Sequence, residues 1–257
     1  MISFRRFTLA AAFLAASLTL SACADMPNTP QGKADYDTAN DPFESVNRTI
    51  FDVNDFLDRL LFRPLAELYR ATVPPGVRDR VSSMISNMKE PVIFANNVMQ
   101  GEFSRAGVTA ERFGINTTIG LGGMFDWAND WKLYQQVGDF GQTLYSWGIG
   151  PGPYIVLPLL GPSDVRDAIG MGVDGALSPW QYLANDGGSE TYWDYQFVYN
   201  GMDGITKREQ NIEGLDALRA GSLDFYAQMR SVYRQYRDKQ LGIKGNTEQA
   251  PKFEDYE

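Results

Sequence analysis

Ten positions between residues 138 and 163 are glycine or proline: Gly138, Gly141, Gly148, Gly150, Pro151, Gly152, Pro153, Pro158, Gly161 and Pro162. Both residue types disfavour a helix interior, so no long helix passes through this stretch. Between the breaks lies one short apolar run, Tyr154-Ile155-Val156-Leu157-Pro158-Leu159-Leu160. It is far short of the roughly 20 residues that span a bilayer. The chain is thereby split into two arms joined by an apolar, hairpin-like loop.

Both arms carry helical spacing. Residues 43–62 place Val46, Ile50, Val53, Leu57, Leu60 and Leu61 on one side. Asp41 can cap this helix, with Pro42 at its first position and Glu44 at its third. Pro64 is expected to end or kink it, with a short helical piece continuing to Tyr69. After the break at Val73-Pro74-Pro75-Gly76, helices are expected over residues 77–88, from Pro91 to Gly101, and over 104–116. Residues 117–127 are apolar and glycine-rich, a closely packed helix end or a loop against something greasy. Residues 165–177 read as a helix despite three glycines, and residues 215–236 as the longest helix of the chain. The fold class is all-α with one hairpin-like loop.

The N-terminus reads as an export signal. Arg5 and Arg6 precede an apolar run over residues 7–20, too short for a membrane span. Leu20-Ser21-Ala22-Cys23 follows, a lipobox in which Cys23 is cut free and lipidated. Cys23 is the chain's single cysteine, so no intrachain disulfide and no cysteine metal cluster is available. One acyl chain anchors marginally, and a lipoprotein cysteine carries two or three. Ala24 lacks the inner-membrane retention character of an Asp at that position, which favours the outer membrane. The organisation expected is a signal peptide at 1–22, a lipidated flexible tether at 23–40 rich in Pro, Gly and polar residues, a helical domain at 41–241, and a disordered acidic tail at 242–257.

Several functions are excluded by composition. There is no histidine, which removes Ser-His-Asp catalysis, a histidine base and histidine-ligated metals. No acid–base constellation stands out among the carboxylates, so the chain reads as no enzyme, with no catalytic residue, metal or cofactor. Gly148-Ile149-Gly150-Pro151-Gly152-Pro153 lacks consecutive N–H donors and a following Lys-Ser/Thr, so it is no phosphate loop. Without residues 1–22 the chain holds 21 basic and 32 acidic residues, a net charge of −11. That charge argues against nucleic acid and against broad attraction to anionic lipid surfaces. Aromatics, 13% of the chain, gather near the glycines and prolines: Phe125, Trp127 and Trp131, then Tyr145, Trp147 and Tyr154. They either fill a glycine-thinned core or form an interfacial belt at headgroup level.

Asn40-Asp41-Pro42-Phe43-Glu44-Ser45-Val46-Asn47-Arg48 resembles the opening motif of the MlaA family, the VacJ-like lipoproteins. The likeness continues through Phe62-Arg63-Pro64, Val73-Pro74-Pro75, Glu90-Pro91, Asn96-Asn97, Gln100-Gly101, Arg112-Phe113 and Asn116-Thr117. Its strongest block is Asp139-Phe140-Gly141-Gln142-Thr143-Leu144 with Trp147-Gly148-Ile149-Gly150-Pro151-Gly152-Pro153-Tyr154, completed by Gly161-Pro162-Ser163 and Arg166-Asp167. It covers roughly residues 40–170.

The resemblance implies amphipathic helices arranged as a ring in the inner leaflet of the outer membrane, around a polar channel. Misplaced outer-leaflet phospholipid passes through it to a periplasmic lipid carrier that feeds an inner-membrane ABC transporter. Trimeric porins are implied as further partners. A hole that passes a charged headgroup needs a polar wall, and a ring in lipid needs an apolar rim. Residue by residue, the resemblance assigns loop mobility to Gly148 and Gly150. It assigns the channel border to Phe51, Asp52, Val53, Asn54 and Asp55, where two acids replace the family's Asn-Phe-rich run. The alternative function is a scaffolding lipoprotein associated with porins.

Overall fold

The computed structural model describes residues 40–185 and 189–243. Cys23, the tether and nearly all of the expected tail lie outside the described residues. The elements run α1 (Glu44–Leu57), a π-helical turn (Asp58–Phe62), α2 (Arg63–Thr72), α3 (Pro75–Met99), α4 (Phe103–Thr118), α5 (Trp127–Asp130) and α6 (Phe140–Ser146). A hairpin follows, β1 (Tyr154–Leu157) and β2 (Gly161–Asp164), then α7 (Val165–Leu177), α8 (Pro179–Asn185), α9 (Ser189–Gln210), α10 (Ile212–Gly221) and α11 (Phe225–Gln240). The fold is mainly helical, and the Gly/Pro-dense segment holds a two-stranded antiparallel sheet pairing Tyr154 with Asp164 and Leu157 with Gly161.

Three expectations about helix ends are corrected. Pro64 does not end the first arm, which continues into the short helical piece expected there: Arg63 N–H bonds back to Asp58 O across the wide π-turn. Pro64 then falls in the first turn of α2, where a missing donor costs little. Pro91 lies inside α3, which runs unbroken for 25 residues and is the longest described helix. Its neighbour Glu90 is pinned by Arg112 of α4, and packing of α3 on α4 outweighs the lost bond. Residues 215–236 are not one helix. The carboxylate of Asp224 caps α11 by accepting from Ala227 N at 3.1 Å, so a new helix starts there.

The packing order closes on itself. The α1–α2 arm meets α9, α9 meets α3, and α3 meets α6 and α7. Then α7 meets the hairpin, and the hairpin returns to α1, with α11 against β2. The α6–α7 crossing is close: a Cβ on Gly170 would sit 2.5 Å from Gly141 N.

Burial is inverted relative to a water-soluble protein. Among the described residues ten hydrophobic side chains are buried, against nineteen polar or charged ones. On α3 the buried set includes Asn87, Glu90, Asn96 and Asn97, while Met84, Phe94 and Val98 face outward. On the first arm Val53, Phe56, Leu60, Leu61, Leu65 and Leu68 are exposed. Ordinary soluble domains bury such residues and expose charge. No described helix is long and apolar enough to cross a membrane.

Candidate functional site

The opening motif joins three parts of the molecule. Asp41 does not cap α1, whose N-cap is Phe43 with no side-chain bond. Its buried carboxylate instead accepts from Asn47 at 2.7 Å, from Arg230 at 2.6 Å and from the Tyr226 hydroxyl. Asn47 also donates to Tyr154 O at 3.1 Å and accepts from Val156 N at 2.9 Å. Phe51, Tyr154, Val156 and Tyr226 form the small apolar core over which this joint is built. The joint fixes α1, β1 and α11 around an open cleft of about 400 Å³.

The cleft wall mixes apolar and charged groups. Phe51, Phe62, Leu215, Phe225, Met229 and the hairpin turn residues Leu159 and Leu160 supply the apolar part. Asp55 and Asp58 face Lys207, Arg208 and Arg219, so the charged lining carries a net +1 in a chain of net −9. Arg208 grips Asp58 with Nε at 2.6 Å and Nη2 at 3.0 Å, joining the π-turn to α9. Arg219 bonds to Asp55 and lies 3.6 Å from Asp58 and from Asp216. Lys207 is 62% exposed and pairs with Asp203 at 2.9 Å. Burial works against the charge of Asp203, but Lys89 and Lys207 hold its carboxyl below the usual range.

Phe51, Asn54 and Asp55 line this cleft, whereas Asp52 and Val53 are exposed and do not. Asn54 grips the hairpin turn, donating to Leu157 O at 2.9 Å and accepting from Leu159 N at 2.8 Å. Asp55, the second acid of this segment, is neutralised by Arg59 at 2.6 Å and by Arg219. Gly148 and Gly150 lie apart from the cleft, on the exposed loop after α6. Gly148 has φ +84° and donates to Tyr145 O at 2.9 Å, a left-handed helix terminator. The sequence reading missed Asp58, Lys207, Arg208 and Arg219. The spacing of Asp55 and Asp58 on the first arm was visible, but nothing in sequence paired them with arginines 164 and 150 residues away.

Two further polar clusters lie outside the cleft lining. Arg112 is sandwiched between Glu90 at 2.9 Å and Asp126 at 3.0 Å. Burial pushes the Glu90 carboxyl up despite that partner. Asp174 of α7 accepts from Asn96 at 2.7 Å and from Phe140 N at 3.1 Å, tying α7 to α3 and to the start of α6. Burial pushes its carboxyl up to about 6 against these bonds. Among the described residues no group of three or more metal-ligating side chains occurs.

Residues 39–240 match the family model of the MlaA lipoprotein. An uncharacterised protein of Rickettsia bellii is 35% identical over 207 residues, 80% of this chain and 78% of its own. The intermembrane phospholipid transport system lipoprotein MlaA of Haemophilus influenzae is 33% identical, with 86% of each chain covered. The protein of the same name from Escherichia coli K12 is 32% identical over 85% of this chain and 83% of its own. A solved structure, described as "Structural basis for maintenance of bacterial outer membrane lipid asymmetry", superposes with a TM-score of 0.66 at 34% identity. It covers 78% of this chain and 98% of its own.

Proposed function

The chain belongs to the MlaA lipoprotein family, and from that premise we propose that it acts in intermembrane phospholipid transport as an outer-membrane lipoprotein. Phospholipid misplaced in the outer leaflet enters the cleft between α1 and α9–α11, crosses the ring and is handed to a periplasmic carrier. That carrier feeds an inner-membrane ABC transporter, and a trimeric porin holds the ring in place. Acyl chains on Cys23 sort and orient the molecule, and the helices do the embedding.

One observation carries this reading: polar groups are turned inward and large apolar side chains outward. Charge inside a membrane lines polar cavities or pairs within the bundle, and apolar surface faces lipid. A ring of amphipathic helices lying in one leaflet satisfies both without a spanning helix. Exposed Trp131 and Trp147 suit headgroup depth, their rings apolar and their N–H polar. The Gly148–Gly150 loop supplies mobility beside the hairpin. No hydrolytic step is assigned, so the protein is a conduit rather than an enzyme.

The test is a strain lacking the gene. Outer-leaflet phospholipid should rise, with sensitivity to detergent plus chelator, and the unaltered gene should reverse both. Unchanged outer-leaflet lipid would refute the reading. Porin co-purification with normal lipid clearance in its absence would favour a scaffolding lipoprotein instead.

A further inference from the structure

Three carboxylates surround Arg219, and each keeps another arginine if Arg219 leaves. Asp55 retains Arg59 at 2.6 Å, Asp58 retains the two-pronged grip of Arg208, and Asp216 retains Arg63 at 2.8 Å. Arg208 is closed off, with its side chain 8% exposed, whereas Arg219 is 23% exposed. Arg219 also stacks its guanidinium over the Phe225 ring at 4.9 Å, within the cleft wall. It is therefore the cation that can change partner without stranding a buried charge. Stranding one is the costly event in breaking a buried pair.

We propose that Arg219, with Lys207 as the second cation, is a phosphate-diester site within the cleft. The phosphate takes the guanidinium from Asp55 on entry and returns it on exit. A planar guanidinium matches two phosphate oxygens, and the ammonium adds a point charge. The cleft's net +1 complements one phosphodiester charge, and its apolar half accepts acyl chain. The exchange makes the Asp55–Arg219 bond a bar across the cleft that the ligand itself lifts. This inference rests on the reading of the cleft as the lipid path.

The experiment uses the full lipidated protein in vesicles, with a photocrosslinking residue at the cleft position Leu215. Radiolabelled phosphatidylglycerol is compared with diacylglycerol of the same chains, with and without millimolar inorganic phosphate. Phosphatidylglycerol should crosslink well and diacylglycerol poorly. Arg219→Gln should lower the phosphatidylglycerol yield about tenfold, the loss of one charge-assisted contact. Arg219→Lys should restore part of it. Lys207→Gln, at an exposed side chain that leaves the fold intact, should lower it by a smaller factor. Competition by inorganic phosphate would mean that phosphate alone is recognised, and its absence that the lipid is required. Equal yields for the two lipids, or no effect of Arg219→Gln and Lys207→Gln, would overturn the proposal and leave the lipid path standing. No adduct with either lipid in the unaltered protein would overturn the lipid path and this site with it.

Discussion

Asn47 and Asn54, two turns apart on α1, grip the hairpin in the same way. Each side-chain amide donates to a strand carbonyl and accepts the N–H two residues further on: Tyr154 and Val156 for Asn47, Leu157 and Leu159 for Asn54. An asparagine amide carries a donor and an acceptor side by side, as a neighbouring strand does. The helix thus serves as the second edge of a two-stranded sheet that would be marginal alone. Asn47 is buried and its partners have no water to turn to, while the Asn54 end opens to solvent. Asn47→Ala should therefore cost about 3 kcal/mol and Asn54→Ala about 1 kcal/mol. Unfolding in detergent micelles measures both, and faster hydrogen exchange at Leu159 N should accompany Asn54→Ala.

Arg112 is 2% exposed and Glu90 is fully buried. Arg112→Ala leaves the buried Glu90 carboxyl without a cation and with only Gln135 at 3.4 Å, so a loss of about 3 kcal/mol is expected. Arg112→Lys should rescue little, because one ammonium cannot reach Glu90 and Asp126 in the geometry of a planar fork. Thermal unfolding of the three proteins in one detergent gives the comparison.

Gly170 and the loop glycines should behave differently. Gly170→Ala drives a Cβ into the α6 backbone and should cost about 1–3 kcal/mol by forcing α6 and α7 apart. Gly148 and Gly150 face open space. Gly148→Ala should cost about 1 kcal/mol through its positive φ, and Gly150→Ala almost nothing. If lipid clearance nevertheless falls in both loop variants at normal abundance, mobility is the property lost.

Asp174 should impose a pH dependence opposite to that of the paired acids. Its folded carboxyl titrates near 6, above its unfolded value, so the native state binds its proton more tightly. Its contribution is full below about pH 4 and is lost as pH rises through about 6. Asp167 and Asp203, held below the usual range by Arg237 and by two lysines, contribute above it and lose that contribution in acid. The stability difference between the unaltered protein and Asp174→Asn should therefore change between pH 4 and 6 and be flat from 7 to 9.

Helix faces were legible where spacing alone decides, as in α1, α4 and α7. Punctuation was over-read where tertiary partners compensate. A π-turn absorbs Pro64, and the Glu90–Arg112 pair holds α3 across Pro91. It was under-read at Gly221, Ser222 and Asp224, where a cap splits one periodic run in two. The motif at residues 40–48 was visible, but its role was not. Asp41 reads locally as a cap, and only the arrival of Tyr226 and Arg230 claims its carboxylate. The cleft was half legible: Phe51, Asn54 and Asp55 sit on the segment singled out. The cations lie in a part of the chain where no motif was recognised, and periodicity carries no trace of which acid meets which arginine.

The bond between Asp41 and Tyr226 spans 185 residues, and Arg48 reaches Asp224 across 176. Asp41 and Arg48 thus wait for the last part of the chain, although the rest of the circuit is complete once α9 is in place. Contacts of such separation form late. Until then the buried carboxylate of Asp41 has Asn47 but neither of its α11 partners, and the joint between α1 and the hairpin lacks its third member. A chain cut before residue 225 would keep the hairpin's grip on α1 and lose both α11 partners of Asp41.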